Sequence, residues 1–331
     1  MAPWYREPMR GTVVSSAALP FDIAPILGAV EYRAPATGSF DRAALLAALG
    51  DADALICLLT VAVDEALLEA APGLRVVANF AVGYDNVDVA AATRRGVAVA
   101  NTPGALTEAT ADFTFALLLG AARRLAEGDR LVRSGAWTGW APGQHLGADV
   151  FGAELGLIGF GRIGQAVARR ARGFSMTVRY TNGSGAVAPA DQAHGAVRVE
   201  LDELLARSDV VSLHCPLTPA TRHIIDAAAL AAMKPGAVLV NTARGACVDE
   251  AALVAALDRG HLGAAGLDVF EHEPAVPAPL RACARVLLAP HAGSATTTAR
   301  RRMAETCARA VRAALDGRAP ETVVNPEIYQ T

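Results

Sequence analysis

Apolar and polar positions along this chain fall into short alternating blocks. Between residues 11 and 99, runs rich in Val, Ile, Leu and Ala (near Thr12–Ser15, 30–32, 54–59, 74–79 and 97–100) read as strands. Between them apolar residues recur at helical spacing, as in 41–49 and 64–71. Strands that alternate with helices predict a parallel sheet covered by helices on both faces. Asn101, Thr102, Pro103 and Gly104 break the pattern, and 106–124 then predicts a long helix with an apolar middle (Phe113, Phe115, Leu117, Leu118, Leu119). So wide a stripe reads either as a subunit interface or as a helix buried between two domains. The segment 135–147 has neither period and carries Trp137 and Trp140, so it is read as an arm.

A second alternating block starts at Ala153, with strands expected at 155–158, 176–180, 210–213, 237–241, 264–267 and 286–289 and helices such as 162–172 and 250–258. The last helix, 296–315, does not continue the alternation and is expected to pack back on the first block. Between the first two strands of the second block lies Gly159-Phe160-Gly161-Arg162-Ile163-Gly164. In this pattern the first glycine permits a tight turn, the second lets a pyrophosphate approach the backbone, and the third lets helix and strand pack closely. Phosphates would sit on free N–H groups at the helix N-terminus. The strand before the glycines and the helix and strand after them are the context that makes this a dinucleotide-binding turn. The expected fold is therefore α/β: two Rossmann-like doubly wound parallel-sheet domains with a cleft between them. One is a discontinuous, flavodoxin-like substrate-binding domain, 1–101 with 293–331, and the other a dinucleotide-binding domain, 102–292.

Composition narrows the function by exclusion. The 331 residues are 53% hydrophobic but only 5% aromatic, so the cores are aliphatic and alanine-rich. A net charge of -3 gives no basic field for nucleic acid. Lys234 is the only lysine, which reads as compositional bias toward arginine. Cys57, Cys215, Cys247, Cys283 and Cys307 have neither metal-ligand nor Cys-x-x-Cys spacing and are expected to be reduced, buried thiols, with no metal site. Residues 1–16 lack the apolar core of a signal peptide and no run approaches the length of a membrane span, so a soluble, cytoplasmic protein is expected.

Three polar islands follow strands of the second block: 241–250 with Arg244, 266–274 with Asp268 and Glu273, and 289–296 with His291. Loops at the carboxyl ends of parallel strands converge on one crevice, so an arginine, a carboxylate and an imidazole would meet the glycine turn there. With these motifs in place, the chain resembles the D-isomer-specific 2-hydroxyacid dehydrogenases, most closely their glyoxylate and hydroxypyruvate reductase branch. The matching stretches include VVANFAVGYDNVD (76–88), NTPGALTEATAD (101–112), GDRLVRSGAW (128–137), GLIGFGRIGQAVARRARGF, NTARGACVDE, AAGLDVFEHEP and APHAGSAT. The 29 residues from Arg244 to Glu273 and the 18 from Glu273 to His291 agree with the family spacing.

The resemblance implies NAD(P)H-dependent reduction of a small 2-keto acid. His291 would be the general acid, Glu273 would hydrogen-bond its ring and favour the charged form, and Arg244 would hold the substrate carboxylate and polarise the carbonyl. It further implies a substrate clamp of Leu59 and the backbone N–H groups of Val82 and Gly83. Its cofactor contacts would come from Thr181 and Asn182, Cys215, Pro216 and Thr221, and Thr242, Ala243, Asp268 and Gly293, beside the glycine turn itself. Asp268 is read equally as a strand-end cap, and Asp85 and Asp88 as turn and helix-cap residues. The other histidines, His145, His194, His214, His223, His261 and His272, are read as structural or exposed. A homodimer through the 106–124 helix and the 135–147 arm is expected.

The chain departs from the NAD pattern where a strand-end acid would bond the ribose 2′-hydroxyl. The strand is expected to end at Tyr180 with Thr181 after it, which leans toward NADP(H) with NAD(H) also accepted. Yet no arginine follows in Asn182, Gly183 or Ser184, where NADP(H)-using relatives carry one. Leu58 and Asn79 stand where phosphoglycerate dehydrogenases have basic residues, so an uncharged tail on the keto acid is favoured. Other 2-hydroxy acids (2-ketogluconate, D-lactate), phosphite, or a nicotinamide-sensing corepressor-like binding protein remain as alternatives.

Overall fold

A computed structural model describes residues 11–189 and 193–330. The absence of a leader inferred at the N-terminus concerns, for its first ten residues, positions outside this range. Two compact units are formed, the first taking the chain to Leu106 and again from Thr296, the second Thr107–Ala295.

Unit 1 is a five-stranded parallel sheet in the order β2-β1-β3-β4-β5, with β1 Thr12–Ser15, β2 Glu31–Arg33, β3 Ala54–Cys57, β4 Val76–Asn79 and β5 Ala98–Ala100. The central strands β3 and β4 are buried along their whole length, as their apolar runs require, with Asn79 at the end of β4 a buried polar residue. The order reverses between β1 and β3, and Leu59 lies just beyond the end of β3 at that switch. Val82 and Gly83 lie beyond β4, in a loop pinned by Asn79, whose side-chain amide donates to the Gly83 carbonyl at 2.8 Å. The Thr297–Leu315 helix belongs to this unit: Arg75 donates to its Leu315 carbonyl and Arg312 donates to the Leu27 carbonyl.

Unit 2 is a seven-stranded parallel sheet, β12-β11-β10-β9-β6-β7-β8. Its strands are β6 Glu154–Ile158, β7 Thr177–Thr181, β8 Val197–Arg198, β9 Val210–Leu213, β10 Val238–Asn241, β11 Ala264–Leu267 and β12 Val286–Leu288. The order reverses between β6 and β9, so the loops after these two strands flank the crevice where such sheets take ligands. The Thr107–Ala122 helix lies across this sheet, burying Phe115, Leu117 and Leu118. It packs against the Arg162–Ala171 helix and against β10 and β11. A methyl group on Gly266 of β11 would lie 3.1 Å from Leu117, and one on Gly120 would lie 2.5 Å from Leu287. Phe115, Leu117 and Leu118 of the apolar stripe are thus covered inside unit 2, while Phe113 and Leu119 are only partly buried.

Several helices begin one residue later than their apolar period indicates, for a common reason. Asp41, Asp64 and Thr296 stand outside the helix as N-caps, as Asp88 does where a cap was expected, each side chain accepting from the backbone N–H three residues on. The reading of β7 also needs correcting. The strand runs one residue further, because Thr181 pairs with Ile158 and its carbonyl accepts from Gly159 N–H at 2.8 Å. Thr181 is therefore the last strand residue and Asn182 the first beyond it; neither carries a carboxylate.

Candidate active site

The glycine turn follows β6 and opens the Arg162–Ala171 helix. Gly159 has φ +97°, and a methyl group there would lie 2.5 Å from the His214 carbonyl carbon and 2.6 Å from Cys215 N. It therefore serves both a left-handed turn and a close approach to the loop after β9. A methyl on Gly164 would fall 2.4 Å from the Gly159 carbonyl oxygen, so this residue keeps helix and turn in contact. Gly161 differs: a methyl there would meet no protein atom within 4 Å. The backbone beside Gly161 is thus open. Gly161 is also the helix N-cap and has no side chain with which to satisfy the first N–H groups, of Arg162 and Ile163. Open backbone and unsatisfied donors at one helix start fit a pyrophosphate. Phe160 stacks on Tyr180 with centroids 3.9 Å apart, tying the turn to β7.

Around this turn the structure brings some of the sequence-predicted residues together. Cys215 abuts Gly159 through its backbone, while its thiol bonds to that of Cys247, a contact that together with burial pushes the Cys215 thiol well up. All five cysteines are free thiols. Thr242 shares a hydrogen bond of 3.0 Å with Thr114, and Ala243 N–H donates to Asn241. Thr221 closes its own turn by donating to the Pro216 carbonyl at 2.6 Å, and Asn182 donates to the Ala186 carbonyl at 3.0 Å. These two side chains are engaged within their own loops.

His291, three residues beyond the end of β12, carries the left-handed φ of +53°, uncommon for a residue with a side chain. Asp268, at the end of β11, holds it there. Its backbone carbonyl accepts from His291 N–H at 2.8 Å, and its buried carboxylate accepts from Ala292 N–H at 2.6 Å and Gly293 N–H at 2.8 Å. Of the two roles read for Asp268, the structure accordingly contains the strand-end cap. Burial outweighs those two donors and raises its carboxyl above the usual range.

The imidazole Nδ1 of His291 meets Glu273 Oε2 at 2.8 Å, and the other carboxylate oxygen accepts from Phe270 N–H at 3.0 Å. Burial alone would push Glu273 up, but the His291 bond and charge, the Phe270 N–H and the charge of Arg244 outweigh it. Its carboxyl is held below the usual range. With Nδ1 committed to the carboxylate, Nε2 is the atom left to give or take a proton. Arg244 follows β10, and Asn241 fixes its backbone by donating to the Arg244 carbonyl at 2.8 Å.

Three contributors went unrecognised in the sequence. Gly245 is one: a methyl there would sit 1.8 Å from the Phe270 carbonyl carbon, so the Arg244 loop rests directly on the loop that carries Glu273. Glu250 is another, its buried carboxylate accepting from Glu271 N–H at 2.9 Å in that same loop; burial raises it. The Glu271 carboxylate is in turn held by Arg222 at 2.9 Å and His223 at 2.8 Å. Gly245 and Glu250 both lie within the motif already quoted, and only the close approach in space distinguishes them. Among the described residues, no cluster of His, Cys, Asp or Glu could hold a metal ion, and no helix is long and apolar enough to cross a membrane.

A glycine turn open to a pyrophosphate, beside a histidine–carboxylate pair and an arginine loop on the same parallel sheet, defines a dinucleotide-dependent oxidoreductase class. Residues 115–293 match the D-isomer specific 2-hydroxyacid dehydrogenase NAD binding domain. A glyoxylate reductase of Thermococcus litoralis is 49% identical over 291 residues, 87% of this chain and 88% of that protein. A glyoxylate reductase structure from Paecilomyes thermophila is similar at TM-score 0.86 and 35% identity, covering 96% of this chain and 99% of that one. So is the NADPH-dependent glyoxylate/hydroxypyruvate reductase of Sinorhizobium meliloti, solved with NADP and malonate, at TM-score 0.83 and 33% identity over 96% and 97%. The chain belongs to the D-isomer-specific 2-hydroxyacid dehydrogenase family. It is an oxidoreductase with a nicotinamide-dinucleotide-binding domain, acting on small 2-keto or 2-hydroxy acids.

Proposed function

We propose that the chain reduces glyoxylate, and hydroxypyruvate as the larger homologue, with NADPH favoured over NADH. The observation that carries the reading is the His291–Glu273 pair at 2.8 Å, with Arg244 close enough for its charge to lower the Glu273 carboxyl. The bound dinucleotide would supply a hydride to the carbonyl carbon. Charge then develops on the carbonyl oxygen, and His291 Nε2 delivers the proton that neutralises it. Glu273, its carboxyl held low, stays ionised and orients the ring through Nδ1. The Arg244 guanidinium, always charged and forked, is suited to the substrate carboxylate and to polarising the adjacent carbonyl. The cofactor contacts assigned to Thr181, Asn182, Cys215, Pro216, Thr221, Thr242, Ala243, Asp268 and Gly293 form part of the same reading.

The lean to NADPH is supported by the lack of a carboxylate at Thr181 and Asn182, since an acid there would repel a 2′-phosphate. A homodimer is part of the proposal as well. Trp140 and Phe151 are 81% and 75% exposed, and the Leu125–Arg133 helix that precedes them in the chain buries none of its residues. So many large apolar groups along one stretch suit a protein surface more than water.

The test is oxidation of NADPH and, separately, NADH by the purified protein with glyoxylate, hydroxypyruvate, pyruvate, 2-ketogluconate and 3-phosphohydroxypyruvate. Highest kcat/KM for glyoxylate or hydroxypyruvate with NADPH is expected. A best rate with 3-phosphohydroxypyruvate, or turnover with NADH alone, would overturn the substrate or the cofactor part respectively.

A further inference from the structure

A dinucleotide seated on the 159–164 turn brings its adenosine ribose to the carboxyl end of β7. Nothing in the loop that follows, Asn182 to Ala186, is charged. A cation reaches this loop from the neighbouring strand instead. β8 runs parallel to β7 with Arg198 opposite Tyr180, one register step before Thr181. The Arg198 guanidinium extends to the loop, where a methyl group on Gly185 would lie 3.7 Å from its Nη2. The side chain is only 24% exposed, and its Nε is a buried donor without an acceptor among the described residues. Its ion pair among the described residues, Nη2 to Glu200 at 2.9 Å, is made to a side chain 76% exposed, and such surface pairs are weak and easily exchanged. The loop itself turns polar groups inward on one another: Ser184 Oγ accepts from Ala186 N–H at 3.3 Å and donates to Asn182 Oδ1 at 3.4 Å.

We propose that Arg198 is the cofactor-specificity residue of this enzyme, its guanidinium pairing with the ribose 2′-phosphate of NADP(H) over the Asn182–Ala186 loop. This rests on the NADPH reading above and supplies the cation that the loop sequence lacks. A planar guanidinium suits a phosphate by charge-assisted, forked hydrogen bonding, whereas a 2′-hydroxyl gains little from it. Exchange of Glu200 for the phosphate costs little for the reason given.

The experiment is calorimetric titration of the whole protein with NADP+, NAD+, 2′,5′-ADP and 5′-AMP, comparing wild type with Arg198→Met and Arg198→Lys. Wild type should bind NADP+ and 2′,5′-ADP more tightly than NAD+ and 5′-AMP. Arg198→Met should weaken the two phosphorylated ligands by about tenfold or more, the usual worth of a hydrogen bond to a charged group, and Arg198→Lys by less. NAD+ affinity, unchanged within about twofold, reports that the variants are folded. If wild type prefers NADP+ and Arg198→Met keeps that preference, the assignment to Arg198 is wrong and the NADPH reading stands. If wild type binds NAD+ as tightly as NADP+, the NADPH reading fails and the assignment with it.

Discussion

Replacing Gly245 with alanine adds one methyl group to the tightest contact in unit 2. That methyl would lie 1.8 Å from the Phe270 carbonyl carbon, 2.0 Å from its oxygen and 2.3 Å from Glu271 N. Ordinary contact begins near 3.4 Å, so the backbones must part by about 1.5 Å, and neither is a flexible side chain that could swing aside. On one side stands Arg244; on the other, three residues along, stands Glu273, whose bonds to Phe270 N–H and His291 are 3.0 and 2.8 Å long. A misplacement of about 1 Å between groups acting on one substrate costs about a hundredfold in rate. The variant should therefore lose at least that factor in kcat/KM with glyoxylate, about 2.7 kcal/mol of transition-state stabilisation. Dinucleotide affinity should fall far less than the rate, because the 159–164 turn follows β6, away from the parted loops, and only the contacts assigned to Thr242, Ala243 and Asp268 lie near them. Steady-state kinetics, calorimetry with the dinucleotide and circular dichroism separate the two effects. Activity within tenfold of wild type would refute the idea that this contact sets the spacing of Arg244 and Glu273.

The remaining predictions concern protonation and assembly. Glu273→Gln removes the charged acceptor that holds the His291 ring through Nδ1, so kcat/KM for glyoxylate should fall about tenfold or more with dinucleotide affinity kept; a rate within about twofold of wild type would contradict the pairing. His214 is partly buried with its ring Nε2 3.0 Å from Ser212 Oγ, and burial lowers it to about 3 from 6.5. Between those values the unfolded chain takes a proton that the folded chain refuses, so stability falls as pH falls. At pH 5 the loss is about 2 kcal/mol. Urea unfolding of wild type and His214→Gln at pH 7 and 5 measures this, and equal pH dependence in both would sink it. Sedimentation should give twice the 34.1 kDa chain mass for wild type, and Trp140→Glu should shift the distribution toward the single chain; a wild-type monomer would contradict the proposed dimer.

What could be read beforehand divides along a physical line. The alternation of strands and helices, the glycine turn and the spacing of Arg244, Glu273 and His291 are local patterns, each carried by residues near in sequence, and the structure contains the strands and places these residues on loops of one sheet. The ends of elements were less legible. Asp41, Asp64 and Thr296 look like first helical residues until their side chains are seen accepting N–H groups from outside the helix. Thr181 looked like the residue after a strand because its pairing with Ile158 is not visible in one dimension. The wide stripe of the Thr107–Ala122 helix left a subunit interface and a helix buried between domains both open, since amphipathic width does not say which neighbours fill it. Least legible of all were contacts between distant loops. Gly245 against Phe270, Glu250 on Glu271 and Arg198 over Gly185 join residues 13 to 25 apart, and no periodicity announces them.

The central claim is that Arg244 and the His291–Glu273 pair serve one reduction. The direct measurement is kcat/KM for glyoxylate with NADPH in Arg244→Ala and His291→Ala, alongside dinucleotide affinity. The account predicts that each variant loses at least about a thousandfold in kcat/KM while holding the dinucleotide as wild type does. Either variant turning over glyoxylate within tenfold of wild type, with the dinucleotide bound, would contradict it.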